Sequence, residues 1–429
     1  MLQKMSTFDK GVKIPSHKNL SSNIPITICP TPERLFVCLS QHIGKPAIAV
    51  VKKGDHVKKG QLIGKADGFV SANVYSGVSG TVFSIANLPT ASGLKPFIII
   101  DNDFNYEEVF LDKIDISDSS AVIERVKEAG IVGLGGAGFP AHVKLSPPND
   151  VDTLLINCAE CEPYLTCDER VILELTDEVV EGAKIVANAL KVKKIVFGIE
   201  ENKPECIKKL SLYADIDIVP LKAKYPQGGE KQLIYACTGR KVGLGKLPAS
   251  TGVVVVNVQS VEKIYEAIIL CKPLIDRVMT VTGDGVSSPC NLRVTIGTPY
   301  EKILEVAGGL KNSVVRLIAG GPMMGKSLPD ITGFFSKTDS GLLALGKKYT
   351  NISSPTACIN CARCTSVCPM HLMPMYLDLY ACRGEWKKTD SYFVNACIEC
   401  GACAYVCPAK RDIVGSVRIA KSSLKSVKR

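Results

Sequence analysis

The spacing of hydrophobic residues divides the chain into regions with different periodicities. Short β-prone runs separated by Gly-Asp and Lys-Gly turns extend to about residue 110, which predicts an all-β unit. From about 115 to 265, the helical pattern SAVIERVKEAG is followed by buried apolar runs such as DTLLINC, KKIVFGI and GVVVVNV. This alternation predicts an α/β domain with a mainly parallel sheet. From 272 to about 325, β-prone runs return around one predicted helix, EKILEVAGG.

An internal repeat follows a segment, 327–355, that is predicted to be a linker. Its halves, CINCARCTSVCP and CIECGACAYVCP, share the spacing C-x2-C-x2-C-x3-C-P. Iron–sulfur clusters need converging thiolates, and in two-cluster ferredoxins the fourth cysteine of each run ligates the other cluster. Zinc and disulfides are the competing interpretations, but structural zinc usually pairs two short knuckles. The spacing therefore predicts two [4Fe–4S] clusters, with the ligands Cys358, Cys361, Cys364 and Cys407 for one and Cys397, Cys400, Cys403 and Cys368 for the other.

Composition narrows the possible classes of protein. The chain has 429 residues, 46% of them hydrophobic, but it has no apolar run of bilayer length and no secretory signal, which predicts a soluble or peripheral protein. Eighteen cysteines in such a chain favour metal ligation or redox chemistry over disulfides. The net charge of +10 is partly in the C-terminal tail, which fits an acidic partner, an anionic membrane surface or a solvated helix. No nucleic-acid recognition motif is present, so nucleic acid is not expected as a partner.

The glycine-rich segment IVGLGGAGFP contains G-x-G-x-x-G from Gly133 to Gly138. A Rossmann fingerprint follows a strand and opens a helix, whereas this segment follows a helical pattern and precedes several prolines. A standard Rossmann NAD site is therefore not expected, although dense glycine lets backbone amides approach a phosphate. Three cysteines, Cys158, Cys161 and Cys167, lie nearby with two glutamates, and they favour pocket lining over a metal site.

The run GLGGAGFPAHVKL, followed by NCAECEPY, resembles the NADH-binding flavoprotein subunit of respiratory complex I. In that family the glycine loop holds FMN phosphate and NADH together. The resemblance implies that NADH contacts Phe139 and Glu162 and that no side chain is catalytic, since the flavin transfers hydride. Ala159 and Lys231 depart from acidic positions of the family pattern. The implied FMN-binding residues are Gly133, Gly135, Gly136, Gly138, Lys144, Asn157, Glu160, Cys161, Gly229, Glu230, Asn257 and Ser260.

The order of modules resembles the RnfC family of the Rnf electron-transport complexes. The N-terminal unit resembles a lipoyl-like barrel-sandwich hybrid without a carrier lysine at the expected turn, and the third unit resembles a soluble-ligand-binding β-grasp (SLBB) module. AECEPYLTCDER, YPQGGEKQLIYACTGR and GGPMMG add to the resemblance. The expected domains are a barrel-sandwich hybrid (1–112), a Rossmann-like FMN- and NADH-binding α/β domain of complex I flavoprotein type (113–268), a β-grasp domain (269–326), the linker (327–355) and a bacterial two-cluster ferredoxin domain with a basic tail (356–429).

This resemblance implies an NADH-dependent flavin and iron–sulfur oxidoreductase. Its cofactors would be FMN and two [4Fe–4S] clusters, with NAD(H) as substrate. The chain would be a peripheral subunit of an ion-translocating ferredoxin:NAD+ oxidoreductase at the cytoplasmic face of the membrane. The implied partners are the membrane subunits and the ferredoxin-facing iron–sulfur subunit. The alternative is a soluble electron carrier of the proline-reductase type.

Overall fold

The computed structural model describes residues 5–90, 93–350 and 354–427. The strands are β1 (Ile26–Ile28), β2 (Arg34–Cys38), β3 (Ile48–Ala49), β4 (His56–Val57), β5 (Leu62–Lys65), β6 (Val74–Tyr75), β7 (Gly80–Thr90), β8 (Gly93–Asn102), β9 (Thr153–Cys158), β10 (Lys194–Glu200), β11 (Asp217–Leu221), β12 (Val253–Asn257), β13 (Asp276–Thr282), β14 (Cys290–Thr295), β15 (Val314–Ala319), β16 (Lys326–Leu328) and β17 (Gly341–Gly346).

The helices take up most of the central and C-terminal regions. They are α1 (Ser119–Glu128), α2 (Ala141–Lys144), α3 (Cys167–Glu174), α4 (Thr176–Leu190), α5 (Pro204–Leu210), α6 (Glu230–Thr238), α7 (Val258–Ile269), α8 (Tyr300–Val306), α9 (Arg363–Val367), α10 (Pro374–Cys382), α11 (Trp386–Ser391), α12 (Ala402–Tyr405) and α13 (Ile413–Val427). Across the described ranges, every helix is too short or too polar to span a membrane.

The N-terminal β unit consists of two small antiparallel sheets. Strands β2, β8, β7 and β4 form one sheet, and β3, β5 and β6 form the other. Alternate side chains of β2 enter a shared core, with Leu35 and Val37 fully buried. The predicted all-β unit is confirmed.

The central sheet has the order β11-β10-β9-β12, and all its strands are parallel. Strand β9 shows why its sequence is continuously apolar. Leu154 and Ile156 belong to the large core on one face, whereas Leu155 belongs to a smaller core on the other face. Parallel sheets covered on both faces need such runs, and the predicted α/β domain is confirmed.

A six-stranded sheet, in the order β1-β14-β13-β17-β15-β16, forms the third unit. The prediction of a linker over 327–355 is wrong for Gly341–Gly346, because β17 is buried along its whole length and pairs with β13 and β15. The apolar run GLLAL between glycines has the composition of a buried strand. Residues 351–353 of that predicted linker lie outside the described residues. Strand β1 comes from the N-terminal region and pairs with β14, so this sheet crosses a predicted domain boundary.

The C-terminal helices α9–α13 surround the cysteine repeat, and α10 packs against α13. An N-terminal strap, residues 6–18, runs between this region and the central domain. Its Ser6 and Val12 form β-bridges with Leu221 and Tyr225, and the Gly11 amide donates to the Val367 carbonyl at 3.0 Å. The strap therefore connects the two regions through backbone hydrogen bonds.

Candidate functional site

Both halves of the cysteine repeat bend in the same way. Asn360 and Glu399, at matching positions, have φ angles of 53° and 56°. Ala362 and Gly401 also match, with φ angles of 57° and 79°. Left-handed residues are uncommon and bend the chain sharply. Two of them, placed two residues apart, curl each C-x2-C-x2-C run around a cavity.

Eight cysteines divide into two groups of four around two cavities. We call Cys358, Cys361, Cys364 and Cys407 the first cysteine set; they line one cavity. We call Cys397, Cys400, Cys403 and Cys368 the second cysteine set; they line the other. The structure therefore brings together the groups that the spacing predicts, including the exchange of the fourth cysteine between halves. Four thiolates around one cavity are the donor set of a [4Fe–4S] cluster, so these residues fit that cofactor.

The surroundings of the two sets differ. Cys358 and Cys361 are exposed, whereas Cys400 and Cys368 of the second set are each 7% exposed. The Tyr225 hydroxyl donates to the Cys400 carbonyl at 2.6 Å. The second set thus contacts the central domain, whereas two cysteines of the first set lie at the surface.

The carboxyl edge of the central sheet provides a place for a ligand. Strand order reverses between β9 and β12, because β10 and β11 lie on one side of β9 and β12 lies on the other. Open parallel sheets bind ligands in the crevice at such a point. Asn157, the last residue but one of β9, and Asn257, the last residue of β12, pair in register. Two amide side chains therefore flank this crevice.

The glycine loop crosses this crevice. Val132 and Pro140 form an antiparallel bridge at its base, and the Leu134 amide donates to Ser260 Oγ at 3.0 Å. A Cβ on Gly135 would lie 2.8 Å from Asn257 Nδ2, so the close approach requires glycine. The element directly before the loop is α1 and not a strand, which agrees with the rejection of a standard Rossmann site.

The segment Tyr225–Gln232 forms the opposite wall. The Gly228 carbonyl accepts from Asn157 Nδ2 at 2.9 Å, and the Gly228 amide donates to Cys161 Sγ at 3.3 Å. At its start Tyr225 bonds to Cys400, and at its end Gln232 Nε2 donates to the Pro369 carbonyl at 3.2 Å. One short segment therefore contacts both the crevice and the second cysteine set.

The open face of the glycine loop has the features of a phosphate cradle. Nothing lies within 4 Å of the position of a Cβ on Gly136. The amides of Gly135, Gly136 and Ala137 make no hydrogen bond to other described residues. Lys144 ends α2, directly after the loop, and its ammonium group pairs with Glu230 at the start of α6. Free amides and a cation suit a phosphate, so these residues fit FMN.

Comparison with known proteins shows to which family the chain belongs. The chain is 44% identical, over 97% of its length and 94% of the relative, to a subunit of the proton-translocating ferredoxin:NAD(+) oxidoreductase complex of Clostridium ljungdahlii. It is 41% identical, over 98% of both chains, to a subunit of the Na(+)-translocating ferredoxin:NAD(+) oxidoreductase complex of Acetobacterium woodii. Residues 6–105 match the family model of the RnfC barrel sandwich hybrid domain. The chain belongs to the RnfC family.

Family models match three further parts of this RnfC-family chain. Residues 126–266 match the Nuo51 FMN-binding domain, and residues 278–327 match the SLBB domain. Residues 357–411 match a 4Fe-4S dicluster domain. The predicted order of folds and the predicted FMN and [4Fe–4S] cofactors are confirmed.

A solved structure has a fold similar to that of this RnfC-family chain. An NAD+-reducing [NiFe]-hydrogenase in the H2-reduced state superposes with a TM-score of 0.52 at 15% identity. The match covers 72% of this chain and 62% of that chain. At this identity it supports the fold alone.

Glu160 of this RnfC-family chain has its carboxylate at the start of α3. Its carboxylate accepts from the Asp168 amide at 2.7 Å and lies 3.6 Å from Lys18 Nζ. Burial raises the pKa of Glu160 to about 7, and Lys18 opposes the shift. The carboxylate supports the first turn of α3, and the flavin contact implied for this residue stays a prediction.

Donor atoms of Glu160, Cys167 and Asp168 lie within 4.8 Å of one another. Asp168 already accepts 2.8 Å hydrogen bonds from Asn257 Nδ2 and Gln259 Nε2. Because these carboxylates have partners within the chain, the grouping is explained without a metal ion. The preference for pocket lining over a metal site stays a prediction.

Glu162 connects the central domain to the loop after β15. Its carboxylate accepts from the amides of Met323 at 3.2 Å and Met324 at 2.8 Å. Burial raises the pKa of Glu162 to about 7, against the effect of those two amides. Met323 in turn lies beside Gly401 of the second half of the repeat. The NADH contact implied for Glu162 stays a prediction, as does that of Phe139, whose carbonyl closes the base of the glycine loop.

Sequence reasoning missed several residues around these sites. Tyr225 and Gln232 lie in a segment notable for its glycines, and nothing local indicates that they contact the cysteine repeat. Arg277 and Lys337 are buried behind the glycine loop. The arginine in the β-prone run RVMTVT was a usable signal, because a buried charge needs a specific reason.

Proposed function

We propose that this chain is the peripheral, NAD(H)-facing subunit of an ion-translocating ferredoxin:NAD+ oxidoreductase complex, at the cytoplasmic face of the membrane. Its partners would be the membrane subunits and the ferredoxin-facing iron–sulfur subunit. The names of its near full-length relatives support this role. They do not favour the soluble proline-reductase-type carrier.

The observation that carries the proposal is the contact of one segment with two sites. Residues Tyr225–Gln232 form a wall of the crevice and also bond to Cys400 and Pro369. When bound, FMN exchanges a hydride with NAD(H) and passes on single electrons that the clusters carry. The chain would hold the two kinds of cofactor on either side of this segment.

Residues of the central domain would have distinct tasks. The amides of Gly135, Gly136 and Ala137 would receive the FMN phosphate, with Lys144 as the nearby cation. Asn157 and Asn257 would present amide groups at the strand ends. The other FMN-binding residues and the NADH contacts at Phe139 and Glu162 are proposed from the resemblance to the complex I flavoprotein subunit.

The two cysteine sets would have different positions in the electron path. The second set lies next to the crevice, and its Cys400 is buried. The first set has two exposed cysteines next to the exposed Ile359 and Arg363. We assign the second set to exchange within the chain and the first set to exchange with a partner protein.

The test combines cofactor analysis with one substitution. Anaerobically purified wild-type chain is expected to contain FMN, iron and sulfide, and NADH should bleach its flavin and cluster absorption. Gly136→Val places a side chain in the open space above the loop and should abolish flavin binding, while dithionite still reduces both clusters. Gly243→Val, at another glycine without a positive φ, is the matched control. Full cluster occupancy without FMN or NADH response in wild type would refute the proposal.

A further inference from the structure

Arg277 is a fully buried cation directly behind the glycine loop. It lies on β13, and its Nη1 donates to the Leu134 carbonyl at 2.9 Å and the Lys337 carbonyl at 2.8 Å. Its Nη2 is buried and has no hydrogen-bond partner among the described residues. The guanidinium therefore supports the residue that precedes Gly135 and keeps an unused donor.

Lys337 is a second buried cation behind the same loop, and it is only 1% exposed. Its ammonium group donates to the carbonyls of Asn73 at 2.7 Å and Gly130 at 2.8 Å. Gly130 leads directly into the glycine loop. Burial lowers the pKa of Lys337 to about 7, which is the expected response of an ammonium group without a counter-ion.

Neither cation has a carboxylate within ion-pair distance in the described part of the chain. Other buried lysines do: Lys263 pairs with Glu262 and Asp276, and Lys203 pairs with Glu200. A buried charge without a partner is costly. The two unpaired cations lie behind the loop whose exposed face carries the free amides. Positive charge on one side and free donors on the other together favour an anion at the open face.

We propose that Arg277 and Lys337 make the glycine loop selective for a flavin that carries a phosphate, favouring FMN over riboflavin. This rests on the proposed function, which places a flavin at this loop. Both residues are positioning residues, because they act through the loop backbone and its electrostatic field. The phosphate dianion of FMN supplies the missing counter-charge, and riboflavin has none.

The test measures the dissociation constants of FMN and riboflavin for the full chain, with clusters in place and flavin removed. Arg277→Gln and Lys337→Gln should each weaken FMN binding by about tenfold or more, with riboflavin affinity changed by less than about twofold. Arg277→Lys keeps the charge and should retain most of the preference for FMN. It also keeps the test valid if Arg277→Gln does not fold.

Arg125→Gln is the matched control. Arg125 is also buried and donates to backbone carbonyls, those of Asp112 and Ala267; it also pairs with Glu128, and its side chain makes no hydrogen bond or ion pair to a described residue of the loop. The Arg125→Gln substitution should leave the ratio of the FMN and riboflavin dissociation constants unchanged. Equal weakening of FMN and riboflavin in the Arg277 and Lys337 variants would overturn the inference. A wild-type chain that binds neither flavin would overturn the proposed function itself.

Discussion

The two cysteine sets have the same local design and different surroundings. Each is a C-x2-C-x2-C run with left-handed residues at matching positions. The first set has Cys358 and Cys361 exposed, whereas the second set has Cys400 buried beneath Tyr225. The same cysteine motif can therefore take two different roles, because each copy makes different long-range contacts. In the proposed function, the second set faces the flavin crevice and the first faces a partner.

The largest expected effect comes from removing the second set. Cys400→Ala should lower the iron content from about eight to about four atoms per chain. NADH should still bleach the flavin, but the remaining cluster should stay oxidised until dithionite is added, because its supply passes through the second set. Iron analysis and electron paramagnetic resonance (EPR) spectra check this. Cys382→Ala, at an exposed cysteine outside both sets, should behave as wild type. NADH reduction of the remaining cluster at the wild-type rate would contradict the assignment.

Removing the first set should block a later step of electron transfer than removing the second set. Cys361→Ala should also lose about four iron atoms, but NADH should still reduce the second cluster. Electron transfer from NADH to the other subunits in washed membranes should stop, since the exit is missing. Unchanged transfer to those subunits would show that the first set is not the exit.

A smaller effect is expected when wild-type protein is exposed to oxidant and chelator. The first cluster should be lost before the second, because two of its cysteines are exposed to solvent. Iron release followed together with EPR should show an early phase of about half the total iron. Simultaneous loss of both clusters would mean that the difference in burial does not protect the second.

The smallest effect concerns Glu162, whose contacts reach the second set through Met323. Because burial raises the pKa of Glu162 from 4.5 to about 7, its contribution to stability is present below pH 4.5 and is lost as the pH rises through 7. Glu162→Gln should therefore remove part of the fall in Tm between pH 5 and 8, corresponding to at most about 3 kcal/mol. An unchanged pH dependence of Tm would contradict this role.

Sequence reasoning was most effective where the chemistry is local. The cysteine spacing predicted which four residues would surround each cavity, including the exchange of Cys368 and Cys407, because the motif itself sets that geometry. The parallel sheet was predictable for a similar reason, since a strand covered on both faces must be continuously apolar. The glycine loop is recognisable from a single run of residues.

Features assembled from distant segments could not be predicted in the same way. Strand β17 falls within the predicted linker because its partners, β13 and β15, lie on either side of it only in the folded sheet. The carboxylate of Glu160 supports a helix start that its sequence neighbours do not reveal. Arg277 and Lys337 meet behind the glycine loop although more than 130 positions separate Arg277 from it along the chain. Such contacts depend on how the domains pack together.

In the proposed electron path, electrons from NADH reach the second cysteine set before the first. The most direct measurement mixes wild-type protein anaerobically with NADH and follows both clusters by rapid-freeze EPR, with their signals assigned from Cys361→Ala and Cys400→Ala. The signal of the second cluster should rise first, and the signal of the first cluster should follow. Reduction of the first cluster before the second would contradict this order of electron transfer.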